Sequence, residues 1–228
     1  KDRLMKASVI VFPGSNCDRD VQVALQKFQI DTTMVWHQET SLPKSDLVVL
    51  PGGFSYGDYL RCGSMASKSK VMNEVIKHAK DGGYVFGICN GFQILTETGL
   101  LPGALLRNSK LKFICKNVFI KTTNSQTAFT KKIPENKILS IPIAHNEGNY
   151  FASKEEIQSL KEHNQIVFQY CDKEGNISGE SNPNGSFLNI AGISNQNKNV
   201  LGMMPHPERS IDQLLGGVDG QGIFQSLL

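Results

Sequence analysis

The chain has no C-x-x-C pair, no run of more than two Lys or Arg, no glycine-rich phosphate loop and no long apolar run. Each absence removes a class of function. A net charge of only +3, spread without clusters over 228 residues, gives no electrostatic footing for nucleic acid. The longest apolar runs, such as Leu47-Val48-Val49-Leu50, fall far short of the roughly 18 residues that a membrane span needs. Pro13-Gly14-Ser15-Asn16 does not extend to G-x-x-x-x-G-K-[ST], and no such motif occurs elsewhere, so no nucleotide site of that kind is expected. His37, His78, His145 and His163 fall at no metal-ligand spacing, and no metal is expected. The five cysteines, at 17, 62, 89, 115 and 171, are odd in number and scattered. With no signal-peptide pattern at the start, they read as reduced thiols in a cytoplasmic protein. Residues 1–4 precede Met5 without joining any pattern and read as a foreign remnant.

What is present centres on one stretch, Val85-Phe86-Gly87-Ile88-Cys89-Asn90-Gly91-Phe92-Gln93-Ile94-Leu95. It reads as a buried strand, a tight turn and a helix. Glycines two residues either side of Cys89 give G-x-C-x-G, the nucleophile-elbow spacing with sulfur in place of a hydroxyl. So sharp a turn strains the central residue, and flanking side chains would collide, which calls for residues without Cβ. The helix N-terminus then favours a thiolate. By itself the motif also fits a structural cysteine in an ordinary β–α turn.

Along the chain, strand and helix signals alternate first. Ala7–Phe12, Thr32–Trp36, Asp46–Leu50 and Tyr84–Ile88 read as strands. Ser15, with Asp18 three residues on, reads as the cap of a helix running to about Phe28. A second helix is expected from Met65 to about Lys80, and the elbow helix should end at Gly99. After Pro102-Gly103 the rhythm changes. Lys112–Thr122, Ile138–Ala144, Ile166–Tyr170, Phe187–Ile193 and Val200–Met204 read as strands, with one helix at Lys154–His163. The expectation is α/β: a mixed, mostly parallel central sheet with helices on both faces. No linker, repeat or low-complexity tract divides it, so residues 5–228 read as a single domain.

Two further constellations carry chemistry. Pro205-His206-Pro207-Glu208 follows a strand end, and the prolines should hold His206 and Glu208 extended with their side chains on one side. That arrangement suits a carboxylate orienting an imidazole, though a proline-rich surface turn would look the same. Gly52-Gly53 directly follows a buried strand, where ligands bind in open α/β sheets. The Gly53 N–H and that of Asn90, the residue after the nucleophile, are the expected oxyanion donors. Gly52 and Gln93, one helical turn past Cys89, are weaker candidates for substrate contact. Cys17, Cys62, Cys115 and Cys171 lack a neighbouring base in sequence and read as packing residues.

The order Cys89, then His206-x-Glu208, resembles the class I glutamine amidotransferases, a flavodoxin-like α/β fold with a nucleophile elbow. Val11-Phe12-Pro13-Gly14-Ser15-Asn16-Cys17-Asp18, Pro51 to Gly63 and Gly202 to Arg209 narrow the resemblance to the glutaminase subunits of phosphoribosylformylglycinamidine synthases. It runs from about Met5 to the C-terminus. One departure is Asn146, where that family typically carries glycine, in Ile143 to Gly148, a loop expected to border the site or the partner contact. The resemblance implies a Cys-His-Glu triad of Cys89, His206 and Glu208. It implies hydrolysis of glutamine through a thioester and ammonia delivered to a separate synthetase subunit. It implies no cofactor on this chain, ATP and Mg on that partner, and a small accessory subunit. A loop from Phe54 to Gly63, directly after Gly53, is expected to change on docking. A cysteine hydrolase of the DJ-1 or dienelactone-hydrolase type shares the elbow but leaves His-Pro-Glu unexplained. A non-enzymatic module on the same fold leaves the intact triad unexplained.

Overall fold

The computed structural model describes residues 3–59 and 61–228. Lys1, Asp2 and Leu60, and with the first two part of the expectation for residues 1–4, lie outside the described residues. The strands are β1 (Lys6–Val11), β2 (Asp31–Trp36), β3 (Leu47–Leu50), β4 (Tyr84–Ile88), β5 (Ala104–Leu106), β6 (Ile114–Thr122), β7 (Ile138–His145), β8 (Asn149–Phe151), β9 (Ile166–Cys171), β10 (Ile190–Ser194) and β11 (Val200–Met203). The helices are α1 (Asp18–Lys27), α2 (Cys62–Ser67), α3 (Met72–Lys80), α4 (Asn90–Glu97), α5 (Lys154–Glu162) and α6 (Gln221–Ser226).

The main sheet has the order β2-β1-β3-β4-β11-β10-β9-β6-β7. From β2 through β11 neighbouring strands are parallel; from β11 to β7 they are antiparallel. The expected mixed sheet therefore forms, with the elbow in its parallel half. β3, β10 and β11 are buried at every position, as strands covered on both faces must be. β7 instead alternates between buried and half-buried residues, the mark of one wetter face. A right-handed crossover places α1, on the way to edge strand β2, on one face and α3, on the way to β4, on the other. α1 packs on β1 and β2, α3 on β4, and α4 on β3, β4 and β11.

The antiparallel half does not lie flat. β7 is the far edge in strand order, yet the Pro142 carbonyl accepts the His206 N–H at 2.8 Å. Ser210 Oγ donates to the Ser140 carbonyl at 3.3 Å, and the Ser140 N–H donates to Asp219 at 2.8 Å. The sheet curls until its edge strand closes over the C-terminal ends of β4 and β11.

Three expectations need correction, and one pair of strands is additional. The helix expected from Met65 to Lys80 is two, because Ser69 turns its hydroxyl to the buried His37 ring at 2.9 Å and the backbone turns with it. Ser15 does not cap α1; its hydroxyl donates to the Gly52 carbonyl at 2.7 Å and Cys17 stands at the N-cap. The strand expected from Phe187 begins only at Ile190, after a 3₁₀ turn with Leu188 at φ 51°. The small β5–β8 pair was not anticipated.

Candidate active site

The elbow forms as its spacing requires. Cys89 has φ 53° and ψ −107°, a conformation outside the regions open to most side chains, and its N–H donates to the Met203 carbonyl at 2.8 Å. The flanking glycines are needed because α4 presses on the sheet at this point. A Cβ at Gly87 would meet the Gly91 carbonyl at 2.6 Å, and one at Gly91 would overlap the carbonyl of Leu50. Cys89 is only 4% exposed, and its Sγ lies 3.7 Å from the Ala144 carbonyl of β7.

His206 and Glu208 are both buried, and Nδ1 of the imidazole meets Oε1 of the carboxylate at 2.7 Å. The pair forms, though not in the extended geometry expected: Pro207–Arg209 is a 3₁₀ turn, and its tight winding rather than a strand brings Glu208 back under the ring. Nε2 of His206 and Oε2 of Glu208 are buried without a hydrogen-bond partner among the described residues. Burial pulls the His206 pKa down, but the adjacent Glu208 charge and the Cys89 and Cys17 thiols outweigh it, and the pKa rises well above the usual histidine range. The ring is thus held ready as an imidazolium beside Cys89. A Cβ at Gly52 would lie 2.7 Å from Cys89 Cβ and 3.1 Å from His206 Cε1, so the bare Gly52 backbone leaves the gap between Cys89 and His206 open.

Gly53 has φ +86°, and a Cβ there would strike the Asn16 carboxamide and both the N–H and Sγ of Cys17. Its carbonyl accepts the Asn16 N–H at 2.9 Å, and its own N–H has no acceptor among the described residues. Asn90 opens α4, so its N–H is one of the unpaired donors of a helix start. Beyond Gly53 runs a strap in which Phe54, Tyr56, Asp58 and Arg61 all have positive φ.

Gln93 is placed beside the nucleophile but is already engaged. Its Nε2 donates to the Glu147 carbonyl at 2.8 Å, and its Oε1 accepts from Asn90 at 3.0 Å and from the Cys62 thiol at 3.1 Å. A cavity of about 290 Å³ lies on its other side, lined also by Arg61, Thr96, Glu97 and Glu147. Burial and the nearby Asp58 raise the Glu147 pKa, while burial and Asp58 push the Cys62 thiol up to about 12, so it stays protonated as a donor.

Cys17, and the particular contacts made by the Ile143–Gly148 loop, escaped the sequence reading. Cys17 was read as packing, yet its Sγ, a His206 ring nitrogen and a Glu208 oxygen all lie within 4.8 Å of one another. A cation there would take the imidazole and carboxylate that already form the pair. Ala144 and Glu147 reach Cys89 and Gln93 through main-chain oxygens, which no residue pattern announces. His145, buried beside Asn108 at 3.0 Å, has its pKa lowered to about 4 by burial and by His206, so it is neutral at ordinary pH. The region from Ile143 to Gly148, which departs from the resembled pattern at Asn146, thus walls the site.

Comparison with known proteins agrees with this geometry. Residues 5–217 match the family model described as the CobB/CobQ-like glutamine amidotransferase domain. The chain is 62% identical over 224 residues to the phosphoribosylformylglycinamidine synthase subunit PurQ of Pelagibacter ubique, covering 98% of each. It is 56% identical to the subunit of that name from Chlorobium luteolum, over 96% of this chain and 95% of that one. Among solved structures, a chain of PurLQS from Thermotoga maritima matches with a TM-score of 0.87 at 42% identity, covering 99% of this chain and 98% of that chain.

Proposed function

This chain belongs to the CobB/CobQ-like glutamine amidotransferase family, among its phosphoribosylformylglycinamidine synthase subunits, and on that premise we propose how its residues work. It is the glutaminase subunit of that synthase and acts in purine biosynthesis. The observation that carries the residue assignment is the strained Cys89 elbow set across the Gly52 gap from a buried His206–Glu208 pair.

The Cys89 thiolate attacks the side-chain carboxamide carbon of glutamine, and a C–S bond forms. The N–H groups of Gly53 and Asn90 hold the oxyanion of the tetrahedral intermediate. His206, as imidazolium, gives its proton to the departing nitrogen; the C–N bond breaks and ammonia leaves. The γ-glutamyl thioester then takes water, from which neutral His206 removes a proton, and glutamate departs with the thiolate restored. Glu208 orients the ring and stabilises its charged form. Ammonia passes to the synthetase subunit, where ATP and Mg act, with a small accessory subunit in the assembly. Five free thiols fit a reducing cytoplasm. No helix among the described residues is long and apolar enough to cross a membrane.

The burial of Cys89 adds a condition. Glutamine reaches the thiol only if the strap after Gly53 or the wall from Ile143 to Gly148 moves, so docking of the synthetase is the event that opens and aligns the site. The test is glutamine hydrolysis by this chain with and without the synthetase subunit. Cys89→Ala in the complex is expected to lose all glutamine-dependent synthesis while external ammonia still supports it. Retained glutamine hydrolysis by that variant would sink the residue assignment.

A further inference from the structure

Asn90 stands next to the nucleophile, where only its backbone N–H has a role in the scheme above. It is 1% exposed, and its side chain makes four contacts, three of them to residues outside α4. Oδ1 accepts the Ser55 N–H at 3.2 Å. Nδ2 donates to Asp58 Oδ1 at 3.2 Å and to Gln93 Oε1 at 3.0 Å, and lies 3.3 Å from the Cys62 thiol. Ser55 and Asp58 belong to the strap that leads directly away from Gly53; Cys62 begins the helix that follows it.

That strap needs an external hold. Phe54, Tyr56 and Asp58 have φ of 62°, 54° and 54°, and none is glycine. Such a run persists only where its surroundings over-determine it. Other ties hold its start and Tyr56: the Gly53 carbonyl accepts the Asn16 N–H, the Tyr56 N–H donates to the Pro13 carbonyl at 2.6 Å, and the Tyr56 hydroxyl meets His37 and Ser69 at 3.1 and 3.2 Å, while Ser55 and Asp58 are held by Asn90. The carboxamide of Asn90 grips one strap N–H and one strap carboxylate at once, and it matches both polarities because it carries an acceptor and a donor.

We infer that the Asn90 side chain is a positioning group for the oxyanion hole, fixing Gly53 through the strap while its own main chain supplies the second donor. One residue thereby sets the distance between the two donors. The inference rests on the oxyanion reading of Gly53 and Asn90, and it adds a role for a side chain that never touches substrate. Gln93 and the protonated Cys62 complete the network, since Gln93 Oε1 accepts from both Asn90 and Cys62.

The experiment compares Asn90→Ala and Asn90→Asp with the unaltered protein in the assembled synthase. Losing one aligned oxyanion donor costs roughly 10²–10³ in kcat. Asn90→Ala is expected to lower the kcat for glutamine hydrolysis by that factor with KM within about threefold, because the hole acts on the transition state. Alkylation of Cys89 by iodoacetamide, which forms no oxyanion, is expected to keep its rate, as is synthesis from external ammonia. Asn90→Asp keeps the acceptor for Ser55 but aims an anion at Asp58; its kcat relative to wild type is expected to recover as pH falls and the new carboxyl regains a proton. It also keeps the side-chain shape should the alanine variant fail to assemble. A loss under tenfold in Asn90→Ala, a kcat ratio for Asn90→Asp that does not change with pH, or a parallel loss of Cys89 alkylation would each overturn the inference. If wild-type complex itself did not hydrolyse glutamine, the glutaminase reading would fail instead.

Discussion

On one side of Cys89, the turn from β4 into α4 is set by backbone against backbone. Gly87 and Gly91 let α4 touch the sheet so closely that an added methyl at either would meet a main-chain carbonyl. On the other side, the strap after Gly53 is set by separate hydrogen bonds. The Asn90 carboxamide, the Asn16 N–H on the Gly53 carbonyl and the Pro13 carbonyl on the Tyr56 N–H hold a run of left-handed residues that would cost on the order of 1–2 kcal/mol apiece if free. The first wall has no alternative conformation short of unfolding. The second is a set of hydrogen bonds that can exchange partners. On the proposed mechanism a glutaminase coupled to a synthetase would gain from this division, since the nucleophile would stay aligned while the oxyanion hole answered to docking.

The largest effect that would expose the difference is Gly91→Ala. Its methyl overlaps the Leu50 carbonyl, which belongs to a central strand and cannot yield. A loss of at least ~3 kcal/mol in stability is expected, read by denaturant unfolding, with activity lost alongside. A variant of unchanged stability would mean that the elbow is looser than its packing indicates.

Next come the groups between the walls. His206→Ala is expected to lower kcat by roughly 10²–10⁴, the range of positioned proton transfer. Glu208→Gln should cost less, and it carries a pH signature. Burial alone lowers the His206 pKa; the carboxylate reverses that. Without the charge, the imidazolium loses its proton at lower pH, so the alkaline limb of kcat/KM should move to lower pH. A limb that stayed in place would remove Glu208 from the electrostatics of the site.

The smallest effect tests the strap alone. Gly57 has φ +73°, and an alanine methyl would press first on the ring of Tyr59, an exposed side chain free to swing aside. Gly57→Ala should cost about 1–2 kcal/mol, a drop of a few degrees in Tm, with a disproportionate fall in glutamine hydrolysis. Equal sensitivity of the fold and of activity would erase the contrast with the elbow.

The elbow was legible because its demand is local: five residues contain the strand end, the nucleophile and both glycines. His206 and Glu208 were legible for the same reason, although the 3₁₀ turn that joins them was hidden, since prolines forbid helix in the preceding residue without dictating the turn that follows. Ser15 was misread because a capping pattern records only what a side chain can reach nearby. The Gly52 carbonyl that claims it lies 37 residues away. The break between α2 and α3 was hidden likewise, since it turns on Ser69 meeting His37.

By itself, then, the order of residues determined the Cys89 elbow, the His206–Glu208 pair and the glycine-lined strand end to which the proposed mechanism assigns its roles, because each is encoded within a few bonds of backbone. Only the tertiary structure decided what encloses them. The curl of the antiparallel half brings Ala144 and Glu147 of a distant segment over Cys89 and Gln93, while the packing of the parallel half seats Cys17 against the His206–Glu208 pair and Asn90 against the strap. These contacts join residues far apart in the chain, several of them through main-chain oxygens that every residue carries. Their identity could not be read before the sheet had closed.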